Sequence, residues 1–211
     1  MPEELIRRNR EWASGINQQT PDYFSKLAAL QKPDYFWIGC ADARVPANVI
    51  AGLEPGEVFV HRNVANVVHS ADLNLLSALE FAVEALKVKE IILCGHYGCG
   101  GVQAAMGDQQ VGLVDHWLRN IRDVYFNKQN AFGEDLSEKE RVNLLCELNV
   151  AQQVANVTHL PAIQNAWEEG QELSVHGWIY DINDGLLKRL TPSIDNIEQV
   201  AEQYRVKRKL L

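Results

Sequence analysis

Three short runs of this chain are apolar without the polar alternation of a half-exposed strand. They are Tyr-Phe-Trp-Ile-Gly-Cys within residues 34–40, Val-Phe-Val within 57–61 and Ile-Ile-Leu-Cys within 90–94. Such runs suit strands of a parallel sheet covered on both faces, so they predict three central strands with helices on either side. Between the second and third run, residues 72–86 open on Asp72 and are apolar nearly all round, which predicts a buried crossover helix completing a βαβ unit. Downstream, Ser137-Glu-Lys-Glu140 has the capping-box spacing, and Val142, Leu145, Cys146, Val150, Val154 and Val157 follow at helical intervals. A helix over 160–169 closes at Gly170, a strand over 173–179 follows, and the Asn183-Asp184-Gly185 turn leads into a last short strand over 186–190.

The first thirty residues follow a different pattern. A polar-rich amphipathic helix over 3–16 is followed by a second helix start at Thr20-Pro21, with no strand beside them. An appendage of this kind is expected to pack on something, a second subunit included. No internal repeat or low-complexity linker divides the chain. Residues 1–211 are therefore expected to form one α/β domain, with a helical arm over 1–30 and a core over 34–211 built on a central, mostly parallel sheet flanked by helices.

With 46% hydrophobic and 23% charged residues, composition excludes a disordered or collagen-like chain. The longest apolar stretch, 35–41, falls far short of the about 18–20 residues that span a bilayer, and the charged N-terminus has no signal-peptide character. These features predict a cytoplasmic protein with no membrane partner. Twenty basic against 28 acidic residues give a net charge of −8, which repels polyphosphate, so no nucleic-acid partner is expected. The basic run Arg205-Val-Lys-Arg-Lys209 reads as a solvated end. Four cysteines are too few for a disulfide scaffold, which leaves them metal binding, catalysis or packing.

In open parallel sheets the reactive groups gather beyond the carboxyl ends of the strands. Here those positions read Cys40-Ala-Asp42-Ala-Arg44-Val-Pro46, His61-Arg62-Asn63 and Gly95-His96-Tyr97-Gly98-Cys99-Gly100-Gly101. Cys40, His96 and Cys99 make a Cys₂His set, and three protein ligands leave a fourth position open, as in catalytic rather than structural zinc sites. One Zn²⁺ per chain is the cofactor expected. A phosphate-cradling loop is the rival reading of residues 95–101, but the Gly-x-Gly-x-x-Gly spacing and a Lys-Ser/Thr pair are both absent. Cys94, inside an apolar strand, and Cys146, on an apolar helix face, read as packing.

Cys40-x-Asp42-x-Arg44, Phe59-x-His-Arg-Asn-x-Ala-Asn66 and Gly95-His-x-x-Cys-Gly-Gly101, in that order and spacing, resemble the β-class carbonic anhydrases, bacterial type. The similarity runs from the N-terminal arm to His176-Gly-x-x-Tyr180. One departure, Ala43 where many members carry serine, leaves the frame intact. The resemblance implies reversible hydration of carbon dioxide to bicarbonate by zinc hydroxide, with Cys40, His96 and Cys99 as ligands and an interacting Asp42–Arg44 pair. It implies a homodimer around a shared sheet, often paired into a tetramer, with the arms draped over the neighbour. It also implies a closed form in which Asp42 takes the fourth zinc position, favoured at lower pH and by bicarbonate held at Trp37, Arg62 and Tyr180.

Two thiolates cancel the formal charge of the metal, so its Lewis acidity needs support. Asp42 can orient the nucleophile by accepting a hydrogen bond from it, while Arg44 keeps the carboxylate ionised and aimed. His61 and His69 lie where protons could be relayed, and neither stands out as a shuttle. Two other readings share the scaffold: a hydrolase of carbon disulfide or carbonyl sulfide, and a non-catalytic zinc-dependent sensor, which would need neither Asp42 nor Arg44.

Overall fold

The computed structural model describes residues 2–206. Contacts divide the chain into two compact units, Met1–Lys32 and Pro33–Leu211. The first holds helices α1 (Pro2–Gln19) and α2 (Tyr23–Ala29), with Trp12 set edge-on to Phe24 at 5.6 Å. Glu4 pairs with Arg7 and Arg8, and Arg7 with Glu11, the three- and four-residue spacings that support an exposed helix. No described residue of either helix is buried, and Leu5, Ile6 and Trp12 are at least half exposed.

The second unit is built on a five-stranded sheet in the order β2-β1-β3-β4-β5. Strands β1 (Tyr35–Cys40), β2 (Val58–Asn63), β3 (Glu90–His96) and β4 (Ser174–Asp181) are parallel, and β5 (Leu186–Arg189) pairs antiparallel with β4. The mostly parallel α/β class is thus observed, with one correction. The run at 57–61 is not a central strand, because β2 lies at the sheet edge among the described residues. Its unbroken apolarity has a different cause: Phe59 packs into the main core on one face, whereas Val58 and Val60 face the other, and Val60 is 37% exposed.

The crossover segment starts as expected, with Asp72 Oδ1 accepting from the amides of Asn74 and Leu75 ahead of α4 (Leu73–Glu80). It then widens into a π-turn at Phe81–Ala85. It is buried along one side only, through Leu75, Leu79, Ala82 and Val83, since Leu73 and Phe81 are exposed. Helices α3 (Ala47–Ala51), α5 (Gly100–Met106) and α6 (Val114–Asn127), all without an N-cap side chain, fall in segments the sequence reading left unassigned.

Helix α7 (Glu138–Thr158) carries the complete capping box, Ser137 and Glu140 each receiving the other's backbone amide. Its predicted stripe from Val142 to Val157 is buried throughout and packs against β3 and β4. Helix α8 (Pro161–Glu168) follows. One sheet face meets α4 and α7 through Phe36, Ile38, Ile91, Leu93 and Val150, and the alternate strand residues Trp37, Ile92 and Cys94 form a smaller cluster on the other. Of the basic tail, residues 207–209 lie outside the described residues. Arg205 is not merely solvated: its guanidinium donates to the carbonyls of Val200 and Glu198, both at 2.7 Å. No helix among the described residues is long and apolar enough to cross a membrane.

Candidate metal centre

Because β1 and β3 are adjacent and parallel, Cys40 and His96 finish at the same end of the sheet. The chain then turns through Gly98, whose φ of 66° lies in the left-handed region open to glycine at no steric cost, and returns Cys99 at the start of α5. The two sulfurs stand 3.9 Å apart, and the three ligand atoms lie within 4.8 Å of one another. The edge of a tetrahedron with zinc–sulfur bonds of about 2.3 Å is about 3.8 Å, so the spacing suits such an ion. All three side chains are buried. His96 Nδ1 lies 3.0 Å from the Tyr97 carbonyl, which assigns its proton to that nitrogen. Nε2 is left buried without a hydrogen-bond partner among the described residues, a lone pair placed as a metal ligand's would be.

The two thiols respond to one another. The Cys99 S–H, His96 and the amides of Asp42 and Ala65 hold Cys40 well below the ordinary thiol range against the effect of burial. The neighbouring Cys40 sulfur and burial drive Cys99 the opposite way. Burial pulls His96 down, but Cys40, the Tyr97 carbonyl and Asp42 outweigh it and leave its pKa raised. Soft, anionic and desolvated donors of this kind are what a thiolate-liganded divalent metal stabilises.

Just beyond Cys40, Arg44 grips Asp42 through three bonds. Its amide and Nε donate to Oδ1, both at 2.9 Å, and Nη2 donates to Oδ2 at 2.7 Å. The Arg44 guanidinium accordingly holds the carboxyl far below the usual range. Arg62 is engaged with backbone instead: Nε donates to the Cys40 carbonyl at 2.8 Å and Nη2 to that of Asp42.

A sequence model of the carbonic anhydrase family matches residues 35–187, which includes every one of these groups. The chain is also 47% identical over 188 residues to a carbonic anhydrase of Emericella nidulans, covering 89% of this chain and 82% of that one. The chain belongs to the β-class carbonic anhydrase family. Among solved structures, the Coccomyxa β-carbonic anhydrase in complex with acetazolamide superposes with a TM-score of 0.88 at 41% identity, covering 92% of this chain and 88% of that one. A tetrameric β-carbonic anhydrase of Sordaria macrospora gives 0.87 at 40% identity, covering 91% and 98%. Similar curated relatives come from fungi, bacteria and a plant.

In this carbonic anhydrase the remaining expected residues take several separate places. Trp37 and Tyr180 share the cluster on one sheet face, with Trp37 only 2% exposed and its indole nitrogen lying over Gly39. Arg62 follows the same face by register, opposite Gly39, but its guanidinium reaches the carbonyls named above. His61 is buried, which lowers its pKa, and His69 Nδ1 accepts the Ala71 amide. Cys94 and Cys146 are free, buried and pushed up by that burial, Cys146 to about 12, as inert packing thiols would be. His176 lies near the start of β4, joined by Nε2 to Glu90 at 2.5 Å and by Nδ1 to Ser193 at 2.9 Å.

The sequence reading missed Glu147, whose carboxylate accepts the Tyr97 hydroxyl at 2.5 Å beside the centre. It also missed Asn149 and Gln153, each 1% exposed on the inner face of α7. Their one trace in the sequence is a polar break at four-residue spacing within an apolar stripe. A cavity of about 410 Å³ opens next to the site, lined by Arg44, Tyr97, Gly98, Val142, Asn143 and Ile182 among others.

Proposed function

We propose that the enzyme interconverts carbon dioxide and bicarbonate using one Zn²⁺ per chain held by Cys40, His96 and Cys99. The observation that carries this reading is the buried convergence of two sulfurs and an unpartnered imidazole nitrogen within 4.8 Å, beside a carboxylate gripped by arginine. Zinc bound there would supply Lewis acidity, which lowers the pKa of water from 15.7 to about 7 among neutral ligands and less far opposite two thiolates. The thiolates of Cys40 and Cys99 donate charge, so much of the orienting falls to other groups. Asp42, kept ionised by Arg44, is an acceptor only; it takes a hydrogen bond from the attacking water and aims the oxygen lone pair at the carbon of CO₂. The new C–O bond forms as one C=O π pair moves to oxygen, and the water proton leaves to solvent, giving bicarbonate and H⁺. The cavity beside Arg44 and Tyr97 gives substrate and product a route.

Regulation follows from the same groups. Bicarbonate at Trp37, Arg62 and Tyr180 competes for a guanidinium that otherwise supports the carbonyls of Cys40 and Asp42. Loss of that support frees Asp42 from Arg44 to cap the metal in a closed form. Assembly as a dimer or dimer of dimers is supported by the tetrameric Sordaria relative, by the open β2 edge and by the exposed apolar side chains of the arm. Four free cysteines suit a reducing, cytoplasmic setting.

Stopped-flow CO₂ hydration before and after chelation tests the reading, with carbonyl sulfide and carbon disulfide as competing substrates. Rapid hydration lost on chelation and restored by zinc is expected. Turnover of the sulfur substrates without CO₂ hydration would assign the scaffold to them instead.

A further inference from the structure

The segment that follows β2 is held in a conformation its residues resist. Ala65 has φ 61° and ψ 31° and Asn66 has φ 49°, two consecutive non-glycine residues in the left-handed region. Both are buried, Ala65 at 0% exposure and Asn66 at 1%. Strain of this kind persists only where the surroundings over-determine it, and it gathers at functional sites.

Here the surroundings are a ladder of buried amides. Asn149 Nδ2 donates to the Ala65 carbonyl at 3.0 Å, and Gln153 Nε2 donates to Asn149 Oδ1 at 2.9 Å, which fixes the orientation of the Asn149 amide. Gln153 Oε1 in turn accepts from the Val68 amide at 2.8 Å and from Asn156 Nδ2 at 2.9 Å. From the opposite side Asn63 closes the loop, its Oδ1 and Nδ2 both bonded to the Val67 backbone at 2.8 Å.

The beneficiary is a metal ligand. Ala65 packs in one cluster with Cys40 and Cys99, so the course of the strained turn sets the wall against which both sulfurs sit. Neighbours packed against a ligand fix its direction, which is how outer partners tune a metal centre. In an unstrained conformation the turn would carry Ala65 out of this packing.

We propose that Asn149 and Gln153 are positioning residues for the metal centre: through the Ala65 carbonyl they hold the strained turn in the conformation that packs Ala65 against Cys40 and Cys99. This inference rests on the assignment of Cys40 as a metal ligand. It gives the two polar side chains on the inner face of α7 a task that apolar residues there could not perform.

The test compares wild type with Asn149→Leu, which keeps the volume and removes the donor to Ala65. Two readouts are independent of turnover: the rate of zinc transfer to a chromophoric chelator, and the sulfur-to-metal charge-transfer band of the cobalt-substituted protein. Ser137→Ala serves as control, since it weakens the start of the same helix without touching the ladder. Asn149→Leu is expected to release zinc at least about tenfold faster and to shift the band, with Ser137→Ala unchanged in both. Should Asn149→Leu fail to fold, Gln153→Met is read instead, with about threefold faster release and a shifted band expected. Wild-type release and an unmoved band in the folded variant would overturn the proposal, as would an equal shift in Ser137→Ala. A wild-type chain that takes up neither zinc nor cobalt would refute the ligand assignment itself, and the inference with it.

Discussion

Arg44 occupies both oxygens of the Asp42 carboxylate, through its backbone amide and Nε on Oδ1 and Nη2 on Oδ2, while Oδ2 also lies 3.8 Å from His96 Nε2. The Asp42 carboxylate thus stands between the Arg44 guanidinium and the His96 imidazole. Asp42→Asn should keep the metal and lose about 10²–10³-fold in kcat/KM, since it removes an oriented acceptor and no ligand. Arg44→Ala should also keep the metal and lose activity. Metal content and steady-state CO₂ hydration measured on the same preparations check both.

His159 stacks face to face on Tyr204, ring centroids 3.9 Å apart, and burial lowers its pKa from the ordinary value of 6.5. A histidine depressed in the folded state binds its proton less readily there than in the unfolded chain. Its neutral form therefore costs nothing above pH 6.5, and stability is lost as pH falls below that value. Buried His61 adds to the loss in the same direction. His159→Phe keeps a ring against Tyr204 and cannot titrate, so its Tm should fall less than that of wild type between pH 7.5 and 5.5. Thermal melts across that range measure the difference.

Ser137→Ala removes the acceptor for the Glu140 amide at the start of α7. A loss of about 1 kcal/mol is expected, or about 2–4 °C in Tm for a chain of this size. Activity at 25 °C should be unchanged, which calorimetry and a rate assay together would establish.

Gly95 carries the backbone into His96 under tight clearance, since a Cβ there would meet Val150 Cγ2 at 2.6 Å. Gly95→Ala should cost about 1–3 kcal/mol through overpacking and weaken metal retention by displacing His96. Val150→Ala in the same chain makes room for the added methyl, so the double variant should retain metal better than Gly95→Ala. Zinc content after dialysis against a weak chelator ranks the three.

The chemistry-bearing strand ends were legible because each apolar run stops where a polar motif begins, and parallel β1 and β3 necessarily bring Cys40 and His96 together. The long helix was legible for a similar reason, its capping box and its stripe pointing to the same boundaries. Helix α6 was not, because Leu113 stands at its N-cap without a capping side chain. The position of β2 at the edge could not be read either: an apolar run reports that both faces of a strand meet something, not that both edges are paired. The Arg62 bonds end on carbonyls of Cys40 and Asp42, and backbone acceptors leave no mark on residue identity. Asn149 showed only as a polar residue in an apolar stripe, with nothing to connect it to Ala65, 84 positions earlier.

If Cys40, His96 and Cys99 hold the one ion on which CO₂ hydration depends, titrating Zn²⁺ into chelator-stripped enzyme while following the hydration rate will show it. A rate near zero is expected in the stripped protein, with a linear rise to one equivalent per chain and a plateau beyond it, and Cys99→Ser should fold but neither retain the ion nor gain the rate. Full hydration by the stripped enzyme, or a wild-type titration curve from Cys99→Ser, would contradict that assignment.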